Sequence, residues 1–168
     1  MKTPYEVWRD RFLCLAITYS VISKDPSTKV GCVIVDNLNR PVGWGTNGFA
    51  RTSSDSKKLF TTREEKYKRV LHAEENAIYN ATSSVVGATA FLTHPPCLHC
   101  CHALAQNHIK GVVAIKPTGA FADRWNLEET EHELIDLGIS FELVDSPDMS
   151  MMVDSFEQFK KLTNNEVI

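Results

Sequence analysis

The sequence predicts an α/β fold gathered into one domain. Apolar, β-branched runs suited to buried strands recur along the chain, and after residue 85 they alternate with helical stretches. That order produces parallel strands joined by right-handed crossovers. Size and composition agree: 168 residues, 43% hydrophobic and 23% charged, fit one globular unit and exclude a disordered chain. The expected domain spans 1–168, with a core over about 5–145 and a helical tail over 146–168.

Thr3, Pro4 and Glu6 read as the N-cap, first position and acid of a capping box. Tyr5, Trp8, Phe12, Ala16 and Tyr19 then recur at helical spacing. They predict a helix with that face buried, stopping near Ser23, ahead of Asp25-Pro26-Ser27. Residues 30–35 are apolar and β-branched, a strand buried on both faces. Asn37-Leu38-Asn39 make a turn, and 41–46 return as a second strand. Residues 47–66 are polar and aperiodic, and so long a connection in a small domain is often functional. A helix over 71–79 and a strand over 89–93 follow, before Pro95-Pro96 break the chain. Beyond them the pattern gives a helix over 97–106, a strand over 112–115, a helix over 127–137 and a strand over 140–144. A tail helix over 151–162 carries Val153, Phe156, Phe159 and Leu162.

Lys+Arg 18 against Asp+Glu 21 gives a net charge of -3, which disfavours a non-specific grip on a nucleic-acid backbone. No apolar run is long enough to cross a bilayer, and Met1 leads directly into a charged amphipathic stretch rather than a secretory leader. Neither nucleic acid nor membrane is an expected partner, and the expected location is the cytoplasm, the host's if the source is viral. The five cysteines are an odd number, which argues against a disulfide framework. Cys97, Cys100 and Cys101 cluster beside His94, His99 and His102, which points instead to a metal. Cys14, Cys32 and Cys101 are expected to fill core space, and His99 and His102 to line a helix surface. His94 is open between bordering a pocket and capping its strand.

Two segments carry the chemistry: His72-Ala73-Glu74 and Pro96-Cys97-Leu98-His99-Cys100. Cys97 and Cys100 share a helix face, near N–H groups that favour thiolates. His72 adds a third donor, leaving tetrahedral Zn²⁺ with one open position, the pattern of a catalytic site. Water there is acidified into a nucleophile, and Glu74 is placed to shuttle its proton. Alone, C-x-x-C also suits a structural zinc or a redox pair, and H-x-E means little. Together, in this order and each opening a helix, they form the zinc-deaminase signature H-x-E…P-C-x-x-C. The implied reaction is hydrolytic loss of ammonia from an amidine-like ring carbon.

Over about residues 5–144 the chain resembles the deoxycytidylate (dCMP) deaminase family of the cytidine-deaminase-like fold. The carriers are Ser23-Lys24-Asp25-Pro26-Ser27-Thr28-Lys29-Val30-Gly31, Gly45-Thr46-Asn47-Gly48-Phe49, Leu71-His72-Ala73-Glu74-Glu75-Asn76-Ala77-Ile78 and Pro95-Pro96-Cys97-Leu98-His99-Cys100. The resemblance implies a three-layer α/β/α sandwich with a mixed five-stranded sheet. It implies one zinc per chain on His72, Cys97 and Cys100, Glu74 as proton shuttle, the Ala73 N–H on cytosine O2, and Asn47 at the 3′-hydroxyl. It favours Lys66 and Arg124, with Ser27 or Lys29, for the phosphate; Arg51 and Arg63 are further cations in the long loop. Many relatives are hexamers activated by dCTP and inhibited by dTTP, with Mg²⁺ on the triphosphate. A homohexamer and such control are therefore expected here, with Asp25, Lys29, Gly48 and Arg51 as effector contacts. The chain departs from the family where Ala50, rather than proline, follows Phe49.

The implied activity is conversion of dCMP to dUMP and ammonia. The rivals are a tRNA adenosine deaminase, which needs a basic face, a free cytosine or cytidine deaminase, and a guanine or riboflavin-pathway deaminase. A non-catalytic zinc protein that senses dNTPs is the alternative of another class, and Glu74 argues against it, since a structural zinc has no use for a shuttle.

Overall fold

The computed structural model describes residues 2–53, 62–119 and 126–163. Helix α1 (Pro4–Val21) starts from the Thr3 capping box. Strands β1 (Gly31–Val35) and β2 (Pro41–Thr46) form a hairpin. Short helix α2 (Arg63–Tyr67), α3 (Ala73–Tyr79) and β3 (Thr89–Leu92) follow. Then come α4 (Leu98–Gln106), β4 (Gly111–Ile115), α5 (Leu127–Asp136), β5 (Ser140–Val144) and α6 (Ser150–Thr163).

The five strands form one mixed sheet in the order β2-β1-β3-β4-β5. β1 is antiparallel to both β2 and β3, whereas β3, β4 and β5 run parallel. Strand alternation sorts the core into two clusters. Cys32, Ile34, Ala90, Leu92, Val112 and Ala114 join Ala73, Ala77, Leu104 and Leu134 in one cluster. Val33, Val35, Phe91 and Val113 meet Phe12, Leu13 and Ala16 of α1 in the other. Helices thus cover both faces, giving the expected three layers.

The buried stripe of α1 differs from the expected one. Phe12, Leu13 and Ala16 are buried with Asp10, while Tyr5 and Trp8 stay exposed. Trp8 stacks on Phe12 under the Arg11 guanidinium, and Tyr5 bonds Glu142, so both aromatics pack along the rim. Helix α6 forms where expected, but its apolar stripe is uncovered: Val153, Phe156, Phe159 and Leu162 are all exposed. The start of the tail is tied down by Asp148, whose N–H donates to Asp10 (3.2 Å) and whose carboxylate pairs with Lys2 (3.0 Å).

The long polar connection is pinched at its base by a bridge in which Gly48 and Leu71 exchange N–H···O bonds of 3.0 and 2.8 Å. Inside it lies α2, where a loop was expected. The signal for a helix here was Glu64–Lys68 and Glu65–Arg69, pairs four residues apart that the structure forms.

Helix α3 lies on β2 backbone to backbone. A Cβ on Gly45 would stand 2.2 Å from the Ala73 carbonyl oxygen, and one on Gly43 2.5 Å from that of Ala77. Both obstacles are main chain and cannot turn aside. Gly45→Ala is expected to cost about 3 kcal/mol or more, read as a lower midpoint in urea unfolding.

Candidate active site

His72 is the N-cap of α3. Its own N–H donates to the Glu75 carboxylate at 2.9 Å, and Asn76 anchors the same turn by donating to the Thr46 carbonyl at 2.8 Å. Cys97 is the N-cap of α4, reached through the buried Pro95-Pro96 pair, and Cys100 lies one turn on, fully buried. Two helix starts therefore face each other at the end of β3.

The imidazole presents Nδ1 to the sulfurs, 3.2 Å from Cys100 Sγ and 3.4 Å from Cys97 Sγ. All three donor atoms lie within 4.8 Å of one another. Ordinary Zn–S and Zn–N bonds arranged tetrahedrally would separate nitrogen from sulfur by roughly 3.5 Å. The residues present fit zinc in number, softness and spacing. Electrostatics agree. The Cys100 thiol donating to it, with His72 alongside, draws Cys97 down to about 4 against its burial. The His72 ring's own bond to Cys97 raises His72 to about 9, and Cys100 is driven up by its bond to Cys97 and by burial. One thiolate thus holds protons on both neighbours, the places that one divalent cation would take.

Glu74 follows on the same turn but stands outside the donor triangle. It is buried, and burial pushes its carboxyl up to about 7. His99 and His102 lie on the outer surface beside Glu75 and Glu133, and Cys14, Cys32 and Cys101 are buried, as expected.

A cavity of about 230 Å³ opens over this centre. Among its lining residues are His72, Ala73, Glu74 and Cys97 at the donor cluster, with Asn47, Lys66 and Asp25 from the expected set. As the first residue of α3, Ala73 has an N–H with no carbonyl to meet inside its helix. Asn47 is heavily used: it accepts from Val30 N–H (2.9 Å) and Ser23 Oγ (2.8 Å), and donates to Thr28 O (2.9 Å) and Asp25 (3.2 Å). Lys66 is buried against Asp25 at 2.5 Å and donates to Ser27 Oγ at 2.8 Å, so its charge is already balanced. Lys29 caps the end of α1, donating to the carbonyls of Val21 (3.2 Å) and Ser23 (2.5 Å). Arg124 lies outside the described residues.

Gly48 and Arg51 belong to a second hollow of about 360 Å³, shared with Asn76 and Asn80, and Arg51 bonds Asn80 there. Arg63, one of the candidate loop cations, and His94 also line the main cavity, and Thr28 and Tyr67 join them without having been expected. The Arg63 guanidinium lies over the Tyr67 ring, and among the described residues no carboxylate pairs with it.

Asp25 resists burial because Lys66 and the N–H groups of Ser27 and Thr28 outweigh it, holding the carboxyl below its usual range. Its stabilising contribution is complete above the unfolded carboxylate pKa and is lost as pH falls through the lowered folded value. Asp25→Asn is expected to unfold at lower urea than wild type near neutrality, by about 3 kcal/mol, and the two midpoints should converge in acid.

Residues 6–116 match the family model for the cytidine and deoxycytidylate deaminase zinc-binding region. The chain is 42% identical over 118 residues to an uncharacterized deaminase in the luxG 3′ region of Aliivibrio fischeri, covering 70% of this chain and 79% of that one. It is 32% identical over 151 residues to a probable deoxycytidylate deaminase of Drosophila melanogaster, covering 83% and 73%. Its fold is similar to that of the dCMP deaminase from the cyanophage S-TIM5, with a TM-score of 0.65, 25% identity, and coverage of 85% and 100%.

Proposed function

The chain belongs to the cytidine and deoxycytidylate deaminase family, and we propose that it hydrolyses dCMP to dUMP and ammonia. The observation that carries this reading is one cavity lined both by the His72–Cys97 side of the donor cluster with Glu74 and by Arg63 and Lys66. A reactive centre and anion-binding groups within one nucleotide-sized space suit a pyrimidine monophosphate. The deaminases named in Drosophila and the cyanophage act on the same nucleotide by their names.

His72, Cys97 and Cys100 would hold one zinc, whose Lewis acidity brings the pKa of water toward neutrality. Ala73 N–H fixes the ring by donating to O2. Glu74 takes the proton released as oxygen adds to C4 and passes it to N3. A second transfer to the exocyclic nitrogen lets the C4–N bond break, so one water is consumed and one ammonia leaves. Arg63 carries more of the phosphate contact than Lys66, whose charge Asp25 balances, and Ser27 sits beside Lys66. Arg124 is a further candidate for the same phosphate. Asn47 stands at the sugar, where a 3′-hydroxyl can join it only by sharing one of its existing bonds.

For control by dCTP and dTTP with Mg²⁺, Gly48 and Arg51 in the second hollow offer the contacts, and Asp25 and Lys29 brace the wall behind it. A homohexamer of 1–168 deaminase domains would cover the exposed apolar groups of α1 and α6. No described helix is long and apolar enough to cross a membrane; the proposed location is the cytoplasm.

Glu74→Gln is expected to keep its zinc by elemental analysis while ammonia release from dCMP falls about 10²–10⁴-fold. Unchanged release would remove Glu74 from the mechanism. The same assay should show dCTP raising and dTTP lowering wild-type turnover. Arg63→Ala is expected to raise KM for dCMP about tenfold or more and to leave deoxycytidine kinetics nearly unchanged.

A further inference from the structure

The two helices that supply the metal donors begin in different parts of the chain: His72 caps α3 after the long connection, and Cys97 caps α4 after β3. One carboxylate reaches both. Glu75 Oε2 accepts the His72 backbone N–H at 2.9 Å, and Glu75 Oε1 accepts from His99 Nε2 at 3.3 Å. His99 stands on α4 between Cys97 and Cys100. The Glu75 side chain is 14% exposed, so its oxygens need partners, and among the described residues no lysine or arginine supplies one. One bond closes the cap that sets His72; the other engages the turn that carries both sulfurs. His102 offers a comparison on the same helix. Its Nε2 meets Glu133 of α5 at 3.1 Å, but α5 contributes no donor to the cluster.

We infer that Glu75 is a positioning residue that ties the two donor-bearing helix starts together through His99, and that this tie slows loss of the metal. Neither Glu75 nor His99 belongs to the donor cluster; each acts through the backbone of a turn that does. Metal leaves a three-donor site when the donors spread, and here spreading moves α3 against α4. A contact that spans the two helices opposes that motion, whereas one within either helix does not. The inference rests on the zinc assignment and holds whichever nucleotide is the substrate.

Zinc transfer from the loaded full chain to an excess of a chromogenic chelator reads the tie. Glu75→Ala should release zinc about tenfold faster than wild type. His99→Ala, which leaves the α3 cap whole, should release it about two- to fivefold faster. The double variant should match Glu75→Ala alone, because both changes cut the same link. Glu75→Gln keeps an oxygen for the His72 N–H and an amide N–H for the imidazole, and should recover most of the wild-type rate. His102→Ala should release zinc at the wild-type rate. A wild-type rate in His99→Ala, independent effects of the two alanine changes, a Gln variant as fast as the Ala one, or equal acceleration in His102→Ala would each overturn the tie. A wild type that takes up no zinc would overturn the metal assignment and this role together, whereas the release rates decide the tie even if dCMP is not turned over.

Discussion

Between α3 and β2 there is no room for one carbon atom. Gly43 and Gly45 let the helix backbone rest on the strand backbone, and every catalytic assignment depends on that contact. It fixes the height at which His72 stands over the sheet, and through the helix pitch it fixes Glu74 two residues on. Glu75 and Asn76 then lock the turn to its surroundings. Cys97 approaches from the other side, as the first residue after β3 and its proline pair. A spacing of a few ångströms among three soft donors is therefore a property of the sheet, transmitted by two helix starts.

The second organising feature is the buried Asp25. Its carboxylate gathers Ser27, Thr28, Asn47 and Lys66 around one point, replacing water by five protein contacts. A buried ion pair contributes little net energy of its own, but removing one partner exposes the full desolvation penalty of the other. Here the pair shapes the wall. Asn47 lines both the main cavity and the second hollow, so the same amide stands between the two spaces.

Much of this was legible in the residues. The capping box at Thr3, the strands at 31–35 and 41–46 and the parallel second half follow from local patterns that the tertiary structure does not override. The donors were legible because two short motifs each keep their members close in sequence: Cys97 and Cys100 one turn apart, and His72 beside Glu74. The phosphate end was not. Lys66 reads as a cation in a polar loop, and only the fold brings Asp25 from 41 positions away to balance it. Arg63 stood only among several loop cations and Tyr67 went unassigned, because α2 is so short that charge pairing, rather than an apolar stripe, defines it. The face of α1 was misplaced because aromatic residues at its rim share the period of the buried ones.

Pro95 and Pro96 have a consequence beyond breaking the chain. Both are fully buried in the turn between β3 and α4, where any other residue would bring an amide hydrogen into a space crowded with sulfur and carbon. A buried N–H left unmatched costs about 1–3 kcal/mol; proline has none to satisfy. The turn can therefore be dry, and the ligand loop needs no hidden solvent to hold its course.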